Sequence, residues 1–299
     1  MKLDFIIIGG QKCGSTYLHE VINEHPDIEM VPGECPHFES PDYEKGGVEQ
    51  LNKLIEKLDN NKILGIKRPS YLSKSEVPFR IKKVNNKVKL IVILRNPLER
   101  LKSAYFHYMN YGFSPLLELN SGIEKLLNGD LAKQYPRTAE ILEFSFYWKN
   151  LNHYLDIFKE NILVLTYDEL KEDRKSVIEK CYSFLGVNKS FIPSQSLNSR
   201  PQKVNYSLIR TRFLAKMNKH QYIYNKDRTR LFNKDKSVWD KCICGVIYLI
   251  DKYVLIFFIK NNKKPEFDSY IKQQLIKKYH LDIENLEKTL NVDLSRWKE

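Results

Sequence analysis

Six side chains between residues 12 and 103 could do chemistry together. Lys12 sits in the stretch Gly9-Gly10-Gln11-Lys12-Cys13-Gly14-Ser15-Thr16-Tyr17; Glu34 and His37 follow in a Pro/Gly-rich segment; Lys67, Arg95 and Ser103 come later. Ammonium, guanidinium and hydroxyl groups are donors suited to phosphate oxygens. A carboxylate or imidazole beside them can take a proton from a hydroxyl. The set therefore points to a phosphate-rich ligand and a proton-accepting group.

Such groups must be held by regular elements. Phe5-Ile6-Ile7-Ile8 runs straight into the glycine turn, and helical spacing begins at Tyr17-Leu18 and Val21-Ile22. This pattern predicts a buried parallel strand, a tight loop and a helix start. The free N–H groups and positive dipole of a helix start form an anion site. Gly10 and Gly14 let the backbone approach the anion, Ser15 and Thr16 add hydroxyls, and Lys12 adds a point charge. The Walker pattern G-x-x-x-x-G-K-[ST] does not fit, because Ser15 follows Gly14 and the lysine has moved into the turn. The second strongly apolar strand, Leu90 to Leu94, ends in Arg95 rather than a magnesium-holding aspartate. A cation there repels a metal and attracts a second anion. The expectation is a nucleotide bound without metal.

Composition sets the frame. The 299 residues are 42% hydrophobic, which suits one large α/β domain or two smaller ones, with an ample core. The formal charge of +12 favours polyanionic partners, although lysine is abundant throughout. Five cysteines, Cys13, Cys35, Cys181, Cys242 and Cys244, are odd in number and irregular in spacing, which argues for a reducing compartment and against a disulfide framework or zinc site. The first strand begins within five residues of Met1, leaving no room for a signal peptide, so a cytoplasmic location is expected.

Further along, residues 29–43 read as irregular, 47–58 as a helix, and Ile63 to Ile66 as a short strand leading to Lys67-Arg68-Pro69-Ser70-Tyr71-Leu72. After Arg95-Asn96-Pro97 a helix is marked by Leu98, Leu101, Tyr105 and Tyr108, and another is expected over 114–128. An aromatic stripe from about 137 to 158 reads as core, Ile162 to Leu165 as a strand, and Gly186 as a helix C-cap. Residues 190–235 are basic, with Arg200, Lys203, Arg210, Arg212, Arg228 and Arg230, and read as solvated surface or a cap over the anion. The apolar run 243–259 is a poor membrane span, being short and interrupted by Asp251-Lys252; it reads as a buried or partner-facing helix, with dimerisation through it as one expectation. The tail 267–297 reads as two short helices. Alternating strands and helices imply βαβ units around a parallel sheet, with Lys12, Lys67 and Arg95 at the carboxyl edge where ligands bind.

KCGST after one strand, RNPLERLKSAYFHY after a second, and a basic pocket without a metal motif resemble the sulfotransferases that use 3′-phosphoadenosine 5′-phosphosulfate (PAPS), particularly the branch of bacterial and heparan-sulfate-type enzymes. The resemblance implies a P-loop-like three-layer α/β fold with a central parallel sheet flanked by helices. It implies one domain over 1–299, with a core at 1–190 and a basic cap and C-terminal helices at 191–299. Lys12, Cys13, Gly14, Ser15, Thr16 and Tyr17 would line the 5′ end of PAPS, and Arg95 and Ser103 would hold its 3′-phosphate. KRPSYL (67–72), VLTYDEL (164–170), FLGV (184–187) and DLSRW (293–297) are similar to weaker family segments. Where family members often read K-E-x-H-F-F, this chain has Gly33-Glu34-Cys35-Pro36-His37-Phe38-Glu39, one residue longer. The resemblance favours a glutamate as base: Glu34 first, His37 as the alternative or as a group orienting the acceptor, Glu39 as the outsider. Lys67 is a secondary catalytic candidate.

The implied reaction moves a sulfuryl group to a hydroxyl or amine of a saccharide or small metabolite, without metal. The rivals are a P-loop nucleotide kinase and a non-catalytic polyanion binder. No recognised nucleic-acid module is present, and no nucleic-acid partner is expected.

Overall fold

An apolar run with no polar alternation must be covered on both faces, which a parallel sheet between helix layers provides. In the computed structural model, which describes residues 1–194, 205–258 and 264–299, Phe5–Gly9 forms such a strand, β1, buried at every position. It lies at the centre of a five-stranded sheet with β2 (Ile28–Met30), β3 (Ile63–Lys67), β4 (Lys89–Leu94) and β5 (Ile162–Thr166), in the order β2-β3-β1-β4-β5. All pairings are parallel. Burying each of Ile6, Ile7 and Ile8 contributes about 1.5–3 kcal/mol. The chain leaves β1 first towards β2 and β3, then crosses to β4 and β5. The order thus reverses between β1 and β4, and a crevice for ligands opens at their carboxyl ends.

The described residues form two compact units. The first takes the described residues of 1–100, 146–201 and 282–298 and contains the whole parallel sheet. The second takes those of 101–145 and 202–281, with Glu299. The units interleave in sequence, so the expected core of 1–190 is interrupted by 101–145, and the tail returns to the first unit.

In the second unit Tyr105 packs so closely on the helix Leu119–Leu127 that a Cβ at Gly122 would lie 1.8 Å from its hydroxyl. The helices Leu208–Gln221 and Val238–Ile250 are tied by His220 Nδ1 and Asp240 Oδ1 at 2.8 Å. A short antiparallel pair, β6 (Tyr222–Tyr224) and β7 (Leu231–Asn233), stands in the region read as basic surface. Arg200 and Lys203 lie outside the described residues.

Several expectations are corrected. Residues 29–43 are not wholly irregular, because Ile28–Met30 adds the edge strand β2. The helix expected over 114–128 is confined to Leu119–Leu127. The aromatic stripe is broken before Tyr147–Phe158, where Phe146 leaves helical geometry (φ −81°, ψ 80°). The tail is one long helix, Ser269–Leu290, followed by a short 3₁₀ turn, Ser295–Trp297; no Pro or Gly interrupts it. The apolar run is not buried: of its described side chains only Cys244, Ile247 and Asp251 are.

Candidate active site

The loop after β1 is shaped by its backbone. Lys12 adopts a left-handed φ of 67°, unusual for a residue with a side chain. Gly14 has φ 105°, and a Cβ there would lie 3.2 Å from the Tyr167 ring. Gly14 also stands at the N-cap of the helix Ser15–Ile22 and offers no capping side chain. The first amides of that helix therefore stay available to an anion.

The neighbouring strand ends close around this loop. Gly10 N–H donates to Ile93 O of β4 at 2.6 Å. Arg95, just past β4, donates from Nη1 to Lys12 O at 3.4 Å and pairs with Glu99 at 3.2 Å. Its guanidinium lies over the Tyr167 ring, 4.9 Å from the centroid. On the other side Lys67, at the end of β3, is buried and donates to Thr16 Oγ1 at 3.2 Å. Three strands thus deliver Lys12, Lys67 and Arg95 to one edge.

Burial lowers the Lys12 pKa, and the like charge of Arg95 lowers it further, while Cys13 and Glu34 act in the opposite direction. Burial lowers Lys67 as well, again opposed by Glu34. The Glu34 carboxylate therefore acts on both ammonium groups. It gets there because the loop after β2 continues alongside β3: Val31 N–H donates to Gly65 O and Cys35 N–H to Lys67 O, each at 3.0 Å.

Arg68 holds that loop. It forks onto Glu39, Nε to Oε1 at 2.8 Å and Nη2 to Oε2 at 2.7 Å, and reaches Glu34 Oε2 through Nη1 at 2.7 Å. Ser70 adds a short hydrogen bond to Glu39. Burial would raise the Glu39 carboxyl, but the Arg68 fork outweighs it and holds the group below the usual carboxylate range. Tyr71 pins the same loop, accepting from Phe38 N–H at 3.0 Å and donating to Cys35 O. The Nδ1 of His37 is buried without a hydrogen-bond partner among the described residues, and burial lowers the pKa of His37 against the pull of Asp42.

Cys13 is buried, and burial pushes its thiol up. Its Sγ lies 3.6 Å from the Tyr147 hydroxyl, which donates to Arg95 O at 2.8 Å. Ser15 is buried, Thr16 is exposed, and the Tyr17 ring lies under the Arg174 guanidinium at 5.5 Å. Ser103 is buried farther along the helix Pro97–Asn110, in residues belonging to the second unit. Among the described residues no cluster of three or more His, Cys, Asp or Glu could hold a metal ion.

Residues 2–239 match the family described as "Sulfotransferase domain". The chain belongs to that family. Human heparan sulfate glucosamine 3-O-sulfotransferase 3B1 is 28% identical over 185 residues, 62% of this chain and 46% of that protein. Mouse bifunctional heparan sulfate N-deacetylase/N-sulfotransferase 4 is 28% identical over 210 residues, 67% of this chain and 24% of that protein. The chain spans about half the length, or less, of these curated relatives. A sulfotransferase crystal structure from Alicyclobacillus acidocaldarius shares the fold, with TM-score 0.69, 20% identity and 100% coverage of both chains.

Four residues of this sulfotransferase domain escaped the sequence reading. Arg68 stands next to Lys67 in KRPSYL, and its pairing with Glu39 has no local signal. Tyr147 is core, as its helical stripe implies, yet its hydroxyl donates to Arg95 O. Tyr167 stood in VLTYDEL with no role. Asp282, in the tail, accepts from Trp148 and Lys149 N–H at 3.0 Å each and so caps the helix that carries Tyr147. The terminal DLSRW segment packs by the same helix, with the Trp297 ring 5.9 Å from Tyr147 and its Nε1 donating to Asp168 at 3.0 Å.

Proposed function

We propose that this chain transfers a sulfuryl group from PAPS to a hydroxyl or amine of a saccharide or small metabolite. The observation that carries the reading is the convergence of Lys12, Lys67 and Arg95 at one sheet edge, with Glu34 on the loop whose Cys35 N–H donates to Lys67 O at 3.0 Å. The loop amides from Gly14 to Tyr17 and the Ser15 and Thr16 hydroxyls bind the 5′ end of the nucleotide. Arg95 holds the 3′-phosphate. Sulfuryl transfer breaks the bond from sulfur to the bridging phosphate oxygen, and negative charge grows on that oxygen. Lys12 stabilises it, a preorganised electrostatic effect. Glu34 takes the proton from the acceptor as its oxygen or nitrogen bonds to sulfur, and Lys67 steadies the group in flight. His37 orients the acceptor or serves as the alternative base.

The heparan sulfate named in the curated relatives supports a saccharide acceptor. Five free thiols support a reducing, cytoplasmic place of work.

Calorimetry with adenosine 3′,5′-bisphosphate and with AMP tests the assignment, each with and without magnesium. The bisphosphate is expected to bind at least about tenfold more tightly, from charge-assisted contacts to its extra phosphate, and without magnesium. Equal affinities or a strict magnesium requirement would sink the reading.

A further inference from the structure

We propose that the helical run from Val238 to Phe258 docks on an anionic lipid surface, lying in the plane of the bilayer interface. The helix Val238–Ile250 passes through a π turn, Asp251–Leu255, into Ile256–Phe258. One side packs inward through Asp240, Cys244, Ile247 and Asp251. The opposite side is apolar and exposed: Trp239 is 78% exposed, Val246 56%, Leu249 51%, Tyr253 59% and Phe257 62%. Their spacings of three, four and seven residues place them on one face.

Charge selects what covers that face. Both acids of the run point inward and are matched. Arg210 forks onto Asp251 at 2.8 and 2.7 Å, and Asp240 meets His220 at 2.8 Å and Lys234 at 3.2 Å. The charges it shows to solvent are Lys241 and Lys252. On a wider scale, residues 202–281 hold 18 Lys+Arg against 6 Asp+Glu, an excess of 12, equal to the +12 of the entire chain. Two copies meeting through this face would bring like charges together, which disfavours a second copy as the occupant. A soluble polyanion would match the lysines and leave the Val, Leu and Phe side chains in water. An anionic bilayer satisfies both: headgroups meet the lysines, Trp and Tyr sit at the interface, and the aliphatic side chains enter the acyl boundary. No helix among the described residues is long and apolar enough to cross a membrane.

The test is co-sedimentation of the full chain with vesicles of phosphatidylglycerol mixed into phosphatidylcholine, against vesicles of phosphatidylcholine alone. Tryptophan emission and light scattering are read in parallel. Binding is expected to the anionic vesicles only, with a blue shift that Trp239→Phe removes. Val246→Glu with Leu249→Glu should weaken binding by more than about tenfold. Lys241→Ala and Lys252→Ala should each weaken it by about fivefold. All five positions are exposed, so circular dichroism should stay unchanged. Equal binding to both vesicle types, or binding indifferent to the paired glutamates, overturns the proposal. So does the absence of vesicle binding together with a dimer that the same pair breaks, which would give the face to a second copy.

Discussion

Lys12→Ala is expected to lower turnover by about 10²–10³-fold, while adenosine 3′,5′-bisphosphate still binds within a few-fold of wild type. The product nucleotide has lost the sulfuryl group, and the charge that Lys12 opposes develops only in the transition state. Among the described residues nothing hydrogen-bonds the Lys12 ammonium, so its removal leaves no broken network behind. The hydrogen bond from Arg95 Nη1 to Lys12 O, at 3.4 Å, does not involve the side chain and survives the substitution. Glu34→Gln should share the pattern, with binding intact and turnover lost, because the amide cannot take the acceptor proton. His37→Ala should lose less, since His37 feels Asp42 and Arg68 rather than the lysines. Near-normal turnover in Lys12→Ala would mean that the loop has another role. A collapse in His37→Ala beside normal turnover in Glu34→Gln would move the base to His37.

Arg68→Ala should destabilise the protein by about 3–5 kcal/mol, the usual cost of stranding one partner of a buried ion pair. The stranded partner is Glu39, whose side chain is only 7% exposed. Urea unfolding measures this as a lower midpoint. The paired change Arg68→Met with Glu39→Leu should recover much of the loss, since it removes both charges and fills the space. Acid sensitivity follows the same pair. Glu39 is held below its ordinary range in the folded state. It therefore contributes stability above its unfolded pKa, and this is lost as pH falls through the lowered folded value. In Arg68→Ala that part of the acid dependence should disappear. A loss below about 1 kcal/mol, the range of surface pairs, would show that the fork does not hold the loop.

How much of this could be read from sequence depended on range. The loop around Lys12 and the strand ending at Arg95 were legible because each lies within a dozen residues of a continuous apolar run, and local pattern fixes both strand and helix. Lys67 was legible as the end of β3 for the same reason. The Arg68–Glu39 fork was not, because it depends on the loop after β2 running alongside β3, and β2 has only three residues, Ile28–Met30. Glu39 read as an outsider since nothing local reveals that it is buried against a guanidinium. Tyr147 and Asp282 were hidden differently. An aromatic on a helical stripe looks like core whether or not its hydroxyl is used, and an acid on a long polar helix looks solvated. The outward-facing apolar run was visible in composition, but which way it faced required the fold.

The most direct measurement follows labelled sulfate from PAPS in the presence and absence of a saccharide acceptor, with magnesium chelated throughout. The account predicts that label leaves PAPS only when an acceptor is present, appears on that acceptor, and leaves adenosine 3′,5′-bisphosphate behind. Release of free sulfate irrespective of acceptor, or transfer that stops when magnesium is removed, would contradict it.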